Sequence, residues 1–366
     1  VKHTEPVHTA KKKPAPKNNA KKKRTKIVLF VLEIFILLIM VVVLYSVFKI
    51  EKVGKVNLPQ EEFVINPEVE EKVETTMKGY RNVALFGVDS TSGALTKNTR
   101  SDTIMIASIN QDTGECKLVS VYRDTYLNLS NDSYNKCNSA YAKGGPMQAI
   151  NMLNMNLDMN IKDFITVGFA GLSNTVDALG GIMIDIDDVE LKHINNYQKT
   201  MASDMKREYT PVESTGYQLL DGLQATAYCR IRYGGGDDFK RTERQREVLL
   251  AIFEKAKSAS PATLTAAVNA IFDNDEIYTS LDVADILDIL GDITKYEVVA
   301  QGGFPEESRR TTGTIGSKGS CVVPVSLADN VQWLHEFLFE DEEYSPSDAV
   351  IEYSNKVEAD TSGYVK

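Results

Sequence analysis

The sequence predicts an α/β fold, a single mixed central sheet flanked by helices, preceded by one N-terminal transmembrane helix. Three observations carry that reading. Residues 27–48, IVLFVLEIFILLIMVVVLYSVF, run 22 positions with a single charge, Glu33. From Tyr80 onward, short apolar runs of strand length are interleaved with stretches of helical spacing. Within that otherwise acidic part, five of the eleven arginines beyond the basic N-terminal tail fall inside seventeen residues: Arg230, Arg232, Arg241, Arg244 and Arg246.

At about 1.5 Å per residue the apolar run makes a helix roughly 33 Å long, enough for a hydrocarbon core of ~30 Å. Residues 1–26 hold ten Lys and Arg against one acid, Glu5. The positive-inside bias therefore keeps the N-terminus cytoplasmic, at a cell membrane crossed once, and places the remainder outside. A cleaved signal peptide is the competing reading. Its apolar region is typically about 7–15 residues and ends at small residues, whereas YSVFKIEK offers no A-x-A site.

Residues 49–78 read as a charged juxtamembrane linker with a short helix. Strands are expected at RNVALFGVDS, DTIMIASIN and CKLVSVYRDTY, the last two joined as a hairpin through NQDTGE. GGPMQAINMLNMNLDMN has helical spacing. Strands follow at DFITVGF and GIMIDID, with VDALGG as a helix end between them. AYCRIRY reads as a strand leading through a Gly-rich loop into the long helix KRTERQREVLLAIFEKAKSA. Helices at PATLTAAVNAIF and VADILDILGDI, a strand at YEVVAQGG and the helix LADNVQWLHEFLF complete one domain over residues 79–345. Residues 346–366 read as a polar, frayed tail.

Beyond the apolar run the chain carries 31 basic and 49 acidic side chains, a net charge of −18. That field argues against nucleic acid as a partner. Cys116, Cys137, Cys229 and Cys321 are too few and too far apart for a zinc site, and sequence does not choose among their three full pairings. His193 and His335 are the only histidines past the span, one in a polar stretch and one beside Trp333, so nucleophilic triads find no support. Met152, Met155 and Met159 either fill a buried core or line an adaptable apolar pocket.

The arginine cluster points to a multiply charged anion. A period of two in AYCRIRY sets Tyr228, Arg230 and Arg232 on one strand face. Asp238, Arg241 and Gln245 then share one face of the helix that follows, while Arg244 and Arg246 suit a charged surface helix. Guanidinium pairs with phosphate oxygens bidentately, and charge-assisted hydrogen bonds contribute about 1.5–3 kcal/mol each. Earlier in the chain, Asp89 ends one strand and Arg100 and Asp102 open the next. Two carboxylates so placed can share a hard divalent cation such as Mg²⁺, although ordinary strand-end capping would account for them equally. Arg123 and Asp124 end the hairpin's second strand, on the same sheet edge.

These residues resemble the LytR-CpsA-Psr family of bacterial envelope enzymes, over roughly residues 80–257. The resemblance runs through NVALFGVDS, TRSDTIMIASIN, VSVYRDTYL, NKCNSAYAKGGP, VDALGGIMIDI, GYQLLDGLQATAYCRIRY and DFKRTERQ, in family order. It implies a central sheet between helices with a tunnel for a polyprenyl chain. It also implies a phosphotransferase that moves an anionic wall glycopolymer (teichoic acid, capsular polysaccharide or similar) from a polyprenyl-pyrophosphate carrier. The acceptor would be the 6-hydroxyl of a peptidoglycan N-acetylmuramic acid, in a Gram-positive cell.

By motif, Asp89 and Asp102 would hold Mg²⁺. Arg100, Arg123, Arg230, Arg232 and Arg241 would bind the pyrophosphate with Gln245, and Lys136 would sit near the phosphates. Arg100, Arg123 and Asp238 would be catalytic, Asp238 by orienting the arginines. The proton acceptor stays open, between Asp89 and a water on the metal. Hydrolysis of the same lipid, or non-catalytic binding of lipid or glycan by an envelope regulator, are the alternatives. Departures from the family pattern fall at Tyr122 (usually Pro), Cys137, Ser139, Asp237 and Lys240; Cys137 and Cys229 each adjoin a site residue, which leaves a disulfide between them open.

Overall fold

The computed structural model describes residues 54–55, 58–89, 95–96, 98–233, 237–272, 277–281 and 283–365. The basic tail at 1–26 and the apolar run at 27–48 lie outside the described residues. Among the described residues no helix is long and apolar enough to cross a membrane.

The strands are β1 (Gly54–Lys55), β2 (Tyr80–Val88), β3 (Ser101–Asn110), β4 (Glu115–Val121), β5 (Tyr126–Asn128), β6 (Tyr134–Lys136), β7 (Asp163–Val167), β8 (Ile182–Ile186), β9 (Gly216–Leu220), β10 (Ile277–Thr279), β11 (Glu297–Phe304), β12 (Arg310–Thr314) and β13 (Ser320–Pro324). The helices are α1 (Pro67–Val73), α2 (Asn138–Leu157), α3 (Phe169–Ala178), α4 (Asp188–Asp204), α5 (Gly222–Tyr228), α6 (Asp237–Lys257), α7 (Pro261–Phe272), α8 (Val283–Gly291), α9 (Leu327–Phe339) and α10 (Asp348–Thr361). Seven strands build the central sheet in the order β1-β10-β7-β2-β3-β4-β11. It is mixed: β2 runs parallel to β7 and antiparallel to β3, and β3 pairs antiparallel with β4. The expected hairpin through NQDTGE is the β3–β4 connection.

Period-two patterning divides the two faces of this sheet. Ala84, Phe86, Ile104, Ile106 and Phe164 pack on one side with Ile150 and Leu153 of α2 and with Val331, Leu334 and Leu338 of α9. The alternate residues face α3 and α6 on the other side. Met152 and Met159 belong to the first core and are fully buried, so these methionines fill a core.

Four local readings change. GIMIDI forms β8 as expected, yet it pairs with β9 in a separate ribbon instead of joining the central sheet. That ribbon covers a second core with Val176, Ile194, Leu223 and Val248. AYCRIRY is not a strand. Asp221 and Gln224 form a reciprocal capping box that starts α5, and the helix runs through Tyr228 into a turn. Tyr228, Cys229 and Ile231 are all buried, which no alternating strand face would give.

The other two changes lie at the edges of the domain. Val69 and Met77, within the stretch read as a linker, are buried in the main core. The stretch read as a frayed tail contains α10, whose Val350 and Val357 are buried. Buried Asp158 joins these two regions: it accepts hydrogen bonds from Asn66 Nδ2 at 2.6 Å, Tyr344 Oη at 2.9 Å, and Ser347 N and Oγ at 2.8 and 2.7 Å. All four cysteines are buried free thiols, so Cys137 and Cys229 are not bridged. His335 is buried, bonded through Nε2 to Leu157 O at 3.0 Å, and His193 stacks on Tyr233 at 3.8 Å.

Deleting residues 346–366 should therefore destabilise the domain by more than about 3 kcal/mol, from the lost Val350 and Val357 contacts alone. A urea midpoint that stays at the full-chain value would contradict the packing of α10.

Candidate active site

The second face of the sheet, α3 and α6 enclose a cavity of about 530 Å³. Leu85 and Gly87 of β2, Thr103 and Met105 of β3, and Ile165 and Val167 of β7 turn towards it. Leu172 of α3 and Val248, Leu249 and Ile252 of α6 close the opposite wall. Gly87 is required there: a Cβ on it would stand 2.8 Å from Thr103 Cβ on the paired strand. The interior is apolar. The mouth is not, because Asp89, Asp102, Arg230, Arg232, Arg241 and Gln245 also line the cavity.

The mouth lies where strands end. β2, β4 and β7 run in one direction, so Asp89, Arg123 and Phe169 follow their carboxyl ends, and Asp102 opens the antiparallel β3 on the same edge. Open α/β sheets place ligands at this edge.

Two carboxylates organise the charge. Asp102 Oδ1 accepts from Arg123 Nη1 at 2.8 Å, while its Oδ2 lies 3.4 Å from Arg232 Nη2 and 3.6 Å from Arg241 Nη1. Asp238, in the first turn of α6, lies 3.1 Å from Arg123 Nε and 3.2 Å from Arg241 Nη2. Burial alone would raise the pKa of Asp238, but Arg241 and Arg123 outweigh it and hold the carboxyl below its ordinary range. Burial likewise works against the charge on Arg123, and Asp102 and Asp238 reverse that, raising its pKa. Arg241 is only 3% exposed, and there burial prevails and lowers its pKa.

Arg230 is held differently. Its guanidinium lies 4.5 Å from the Phe169 ring centroid and 6.0 Å from that of Tyr197. It makes no ion pair among the described residues. Cation–π contact fixes such a group without neutralising it. Two polar atoms at the mouth also lack partners: buried Arg241 Nε and Gln245 Oε1. A ligand with several anionic oxygens suits the first.

The structure brings together Asp89, Asp102, Arg123, Arg230, Arg232, Asp238, Arg241 and Gln245. Lys136 stands off the cavity, 3.3 Å from Asp124. Arg100 is exposed and unpaired among the described residues. Arg244 and Arg246 are not surface residues, being 4% and 9% exposed. Arg244 pairs with Glu190 at 2.8 Å and donates to the carbonyls of Ile231 and Tyr233, which pins the segment bearing Arg230 and Arg232. Arg246 ties α6 to the sheet through Ser120 Oγ and Gln301 Oε1. Sequence reasoning missed Phe169 and Tyr197, since Phe169 closes the strand-like run DFITVGF and a lone tyrosine in a helix looks like ordinary core.

For a metal, no group of three or more His, Cys, Asp or Glu stands together among the described residues, and magnesium needs only one or two carboxylates beside phosphate oxygens. Asp89 and Asp102 line the same mouth and meet that requirement. Asp89 is exposed and takes no guanidinium among the described residues.

The model of the LytR_cpsA_psr family matches residues 47–318. The chain belongs to this family. A relative from Enterococcus faecalis, the polyisoprenyl-teichoic acid–peptidoglycan teichoic acid transferase TagU, is 32% identical over 55% of this chain and 62% of its own length. TagU of Bacillus subtilis is 26% identical over 75% of this chain and 85% of its own length. Biofilm regulatory protein A of Streptococcus mutans is 28% identical over 60% of this chain and 57% of its own. The matches to the first and third thus span about three fifths of those proteins.

Solved structures share the fold. One from Enterococcus faecalis, described as a transcriptional regulator, superposes with a TM-score of 0.60 at 24% identity, over 80% of this chain and 98% of that one. The family protein YwtF (TagT) with bound octaprenyl pyrophosphate superposes at 0.53 and 22% identity, over 72% and 92%. The α/β architecture with a central mixed sheet is therefore that of the family.

Asp238 supplies a pH test. Its pKa is lowered on folding, so its stabilisation is present above the ordinary carboxylate pKa near 3.8 and is lost as pH falls through the lower folded value. Arg241→Ala removes the largest source of that lowering. The variant should be less stable by about 2–3 kcal/mol at neutral pH, and its Tm-against-pH curve should converge on that of the wild type as pH falls through the lowered value. A stability difference that stays constant down to low pH would contradict the pairing.

Proposed function

We propose that this chain is a phosphotransferase that moves an anionic wall glycopolymer from a polyprenyl-pyrophosphate carrier to peptidoglycan. The observation that carries the reading is one cavity that is apolar inside and rimmed with guanidinium groups. Its complement is an amphiphile with a long hydrocarbon tail and a multiply charged anionic head. The family relatives named as teichoic acid transferases, and the family structure holding octaprenyl pyrophosphate, support the same reading.

In this reading the tail lies against Leu85, Met105, Ile165 and Val248, and the pyrophosphate rests at the mouth. Arg230 meets it with an uncompensated charge, and Arg123, Arg232 and Arg241 meet it in the register set by Asp102 and Asp238. Arg100 and Lys136 flank the head. A muramic hydroxyl attacks the sugar-bearing phosphorus, a new P–O bond forms, and the bond to the lipid-bearing phosphate breaks. Polyprenyl phosphate leaves with the bonding pair, and the arginines neutralise its developing charge. The oxygens of Asp102 and Asp238 are already engaged by guanidinium partners. Asp89 keeps its oxygens clear of them among the described residues, which makes it the carboxylate suited to accept the hydroxyl proton.

Mg²⁺, held by Asp89 and Asp102, would add positive charge beside the phosphate oxygens. Retention of the chain at the cell membrane through residues 27–48, with the domain outside, belongs to the same proposal, as does a capsular polymer in place of teichoic acid.

The full chain in detergent, given a polyprenyl-pyrophosphate-linked sugar, Mg²⁺ and peptidoglycan oligomers, should yield a sugar-phosphate adduct by mass spectrometry. Arg230→Ala should lower the rate about 100-fold or more. EDTA should stop transfer and Mg²⁺ restore it, and an active, Mg²⁺-dependent Asp102→Ala enzyme would refute that carboxylate as a ligand. Free sugar phosphate without adduct would identify a hydrolase instead.

A further inference from the structure

The Arg123–Asp238 ion pair is flanked in sequence by two aromatic rings, since Tyr122 precedes the arginine and Phe239 follows the aspartate. The rings meet edge to face, with centroids 4.6 Å apart and planes at 89°. Arg310, the first residue of β12, lies against both. Its guanidinium is 4.0 Å from the Phe239 centroid and 4.7 Å from that of Tyr122. Nη1 also donates to Tyr122 Oη at 2.8 Å and to Pro305 O at 3.3 Å.

The seat beneath Tyr122 is shaped for it. A Cβ on Gly303 would stand 2.0 Å from Tyr122 Oη, so only glycine fits on that stretch of β11. Tyr122 is 7% exposed, and its backbone N donates to Phe304 O at 3.0 Å. Among the described residues the carboxylate paired with Arg310 is that of Glu307, at 3.8 Å and almost wholly in solvent. The charge of Arg310 is thus directed at the rings, an arrangement that favours a fixed geometry.

None of the three residues lines the cavity. Each ring is instead one peptide bond from a site residue, at the corner where the end of β4 meets the start of α6. We propose that Tyr122, Phe239 and Arg310 form a clamp that sets the register of Arg123 against Asp238, with Arg310 and Tyr122 as positioning residues for the chemistry at the mouth. The kinetic consequence rests on the transferase reading; the clamp itself does not.

The test compares the full chain in detergent with its Arg310→Ala, Arg310→Lys and Tyr122→Phe variants, by amide hydrogen exchange and by transfer kinetics. In Arg310→Ala the amides of residues 241–245 should exchange about tenfold faster or more, with those of α2 and β2 unchanged. The kcat should fall about tenfold or more while KM for the lipid changes less than about threefold. Arg310→Lys keeps a cation over the rings and should recover most of both losses. Tyr122→Phe removes only the hydroxyl and should give a smaller change in the same two readouts.

Wild-type exchange and kcat in Arg310→Ala would overturn the clamp, and so would faster exchange spread evenly through the domain. Should Arg310→Ala fail to fold, Tyr122→Phe decides. Normal melting with faster local exchange and lower kcat supports the clamp, and wild-type values overturn it. If the wild-type chain transfers nothing, the transferase reading alone falls, because the exchange readout still judges the clamp.

Discussion

Asp102 and Asp238 hold the site together. Between them they contact Arg123, Arg232 and Arg241, which come from just beyond β4, the turn after α5 and the second turn of α6. Brought close without carboxylates, three such cations would repel one another across a low-dielectric mouth. With two carboxylates among them the site can assemble before any ligand arrives. The surrounding arrangement serves this cluster: Arg244 pins the loop that bears Arg232, and Arg246 ties α6 to the sheet.

Pairing also divides the arginines by electrostatic role. Those bound to Asp102 and Asp238 are partly neutralised and positioned, so their contribution is geometric as well as electrostatic. Arg230 is set by the Phe169 and Tyr197 rings and keeps its full charge for a ligand. A site built this way has little net attraction for a single negative charge and more for an ion that reaches Arg230 and the unpartnered Nε of Arg241 together.

Much of this was legible in the sequence, for identifiable reasons. Strands β2, β3, β4, β7 and β11 of the central sheet were clear because each is an apolar run with turn chemistry at an end, as NQDTGE provides between β3 and β4, whereas β1 and β10, two and three residues long, offer no such run. Arg230, Arg232 and Arg241 at the mouth were legible because arginine is scarce elsewhere in the acidic part of the chain, so its clustering stood out. The strand read into AYCRIRY failed because an alternating run of seven is too short to tell from the end of a helix. There the capping box at Asp221 and Gln224, several residues upstream, decides the outcome. The final helix was missed because α10 is mostly polar and buries Val350 and Val357 along one narrow stripe. Arg244 and Arg246 looked like surface charges since nothing local reveals Glu190, Ser120 or Gln301, which reach them from distant positions.

The Asp158 junction has a consequence for how the chain is made. Asn66 and Ser347, 281 positions apart, both bond to that carboxylate and lie 3.2 Å from each other. A contact spanning such a distance cannot form while the nascent chain is still short, and nonlocal closure of this kind slows folding. The core therefore remains open on that side until Ser347 has been made. The domain closes only when α10 is available to pack, and until then the apolar side that Val350 and Val357 cover is exposed to association.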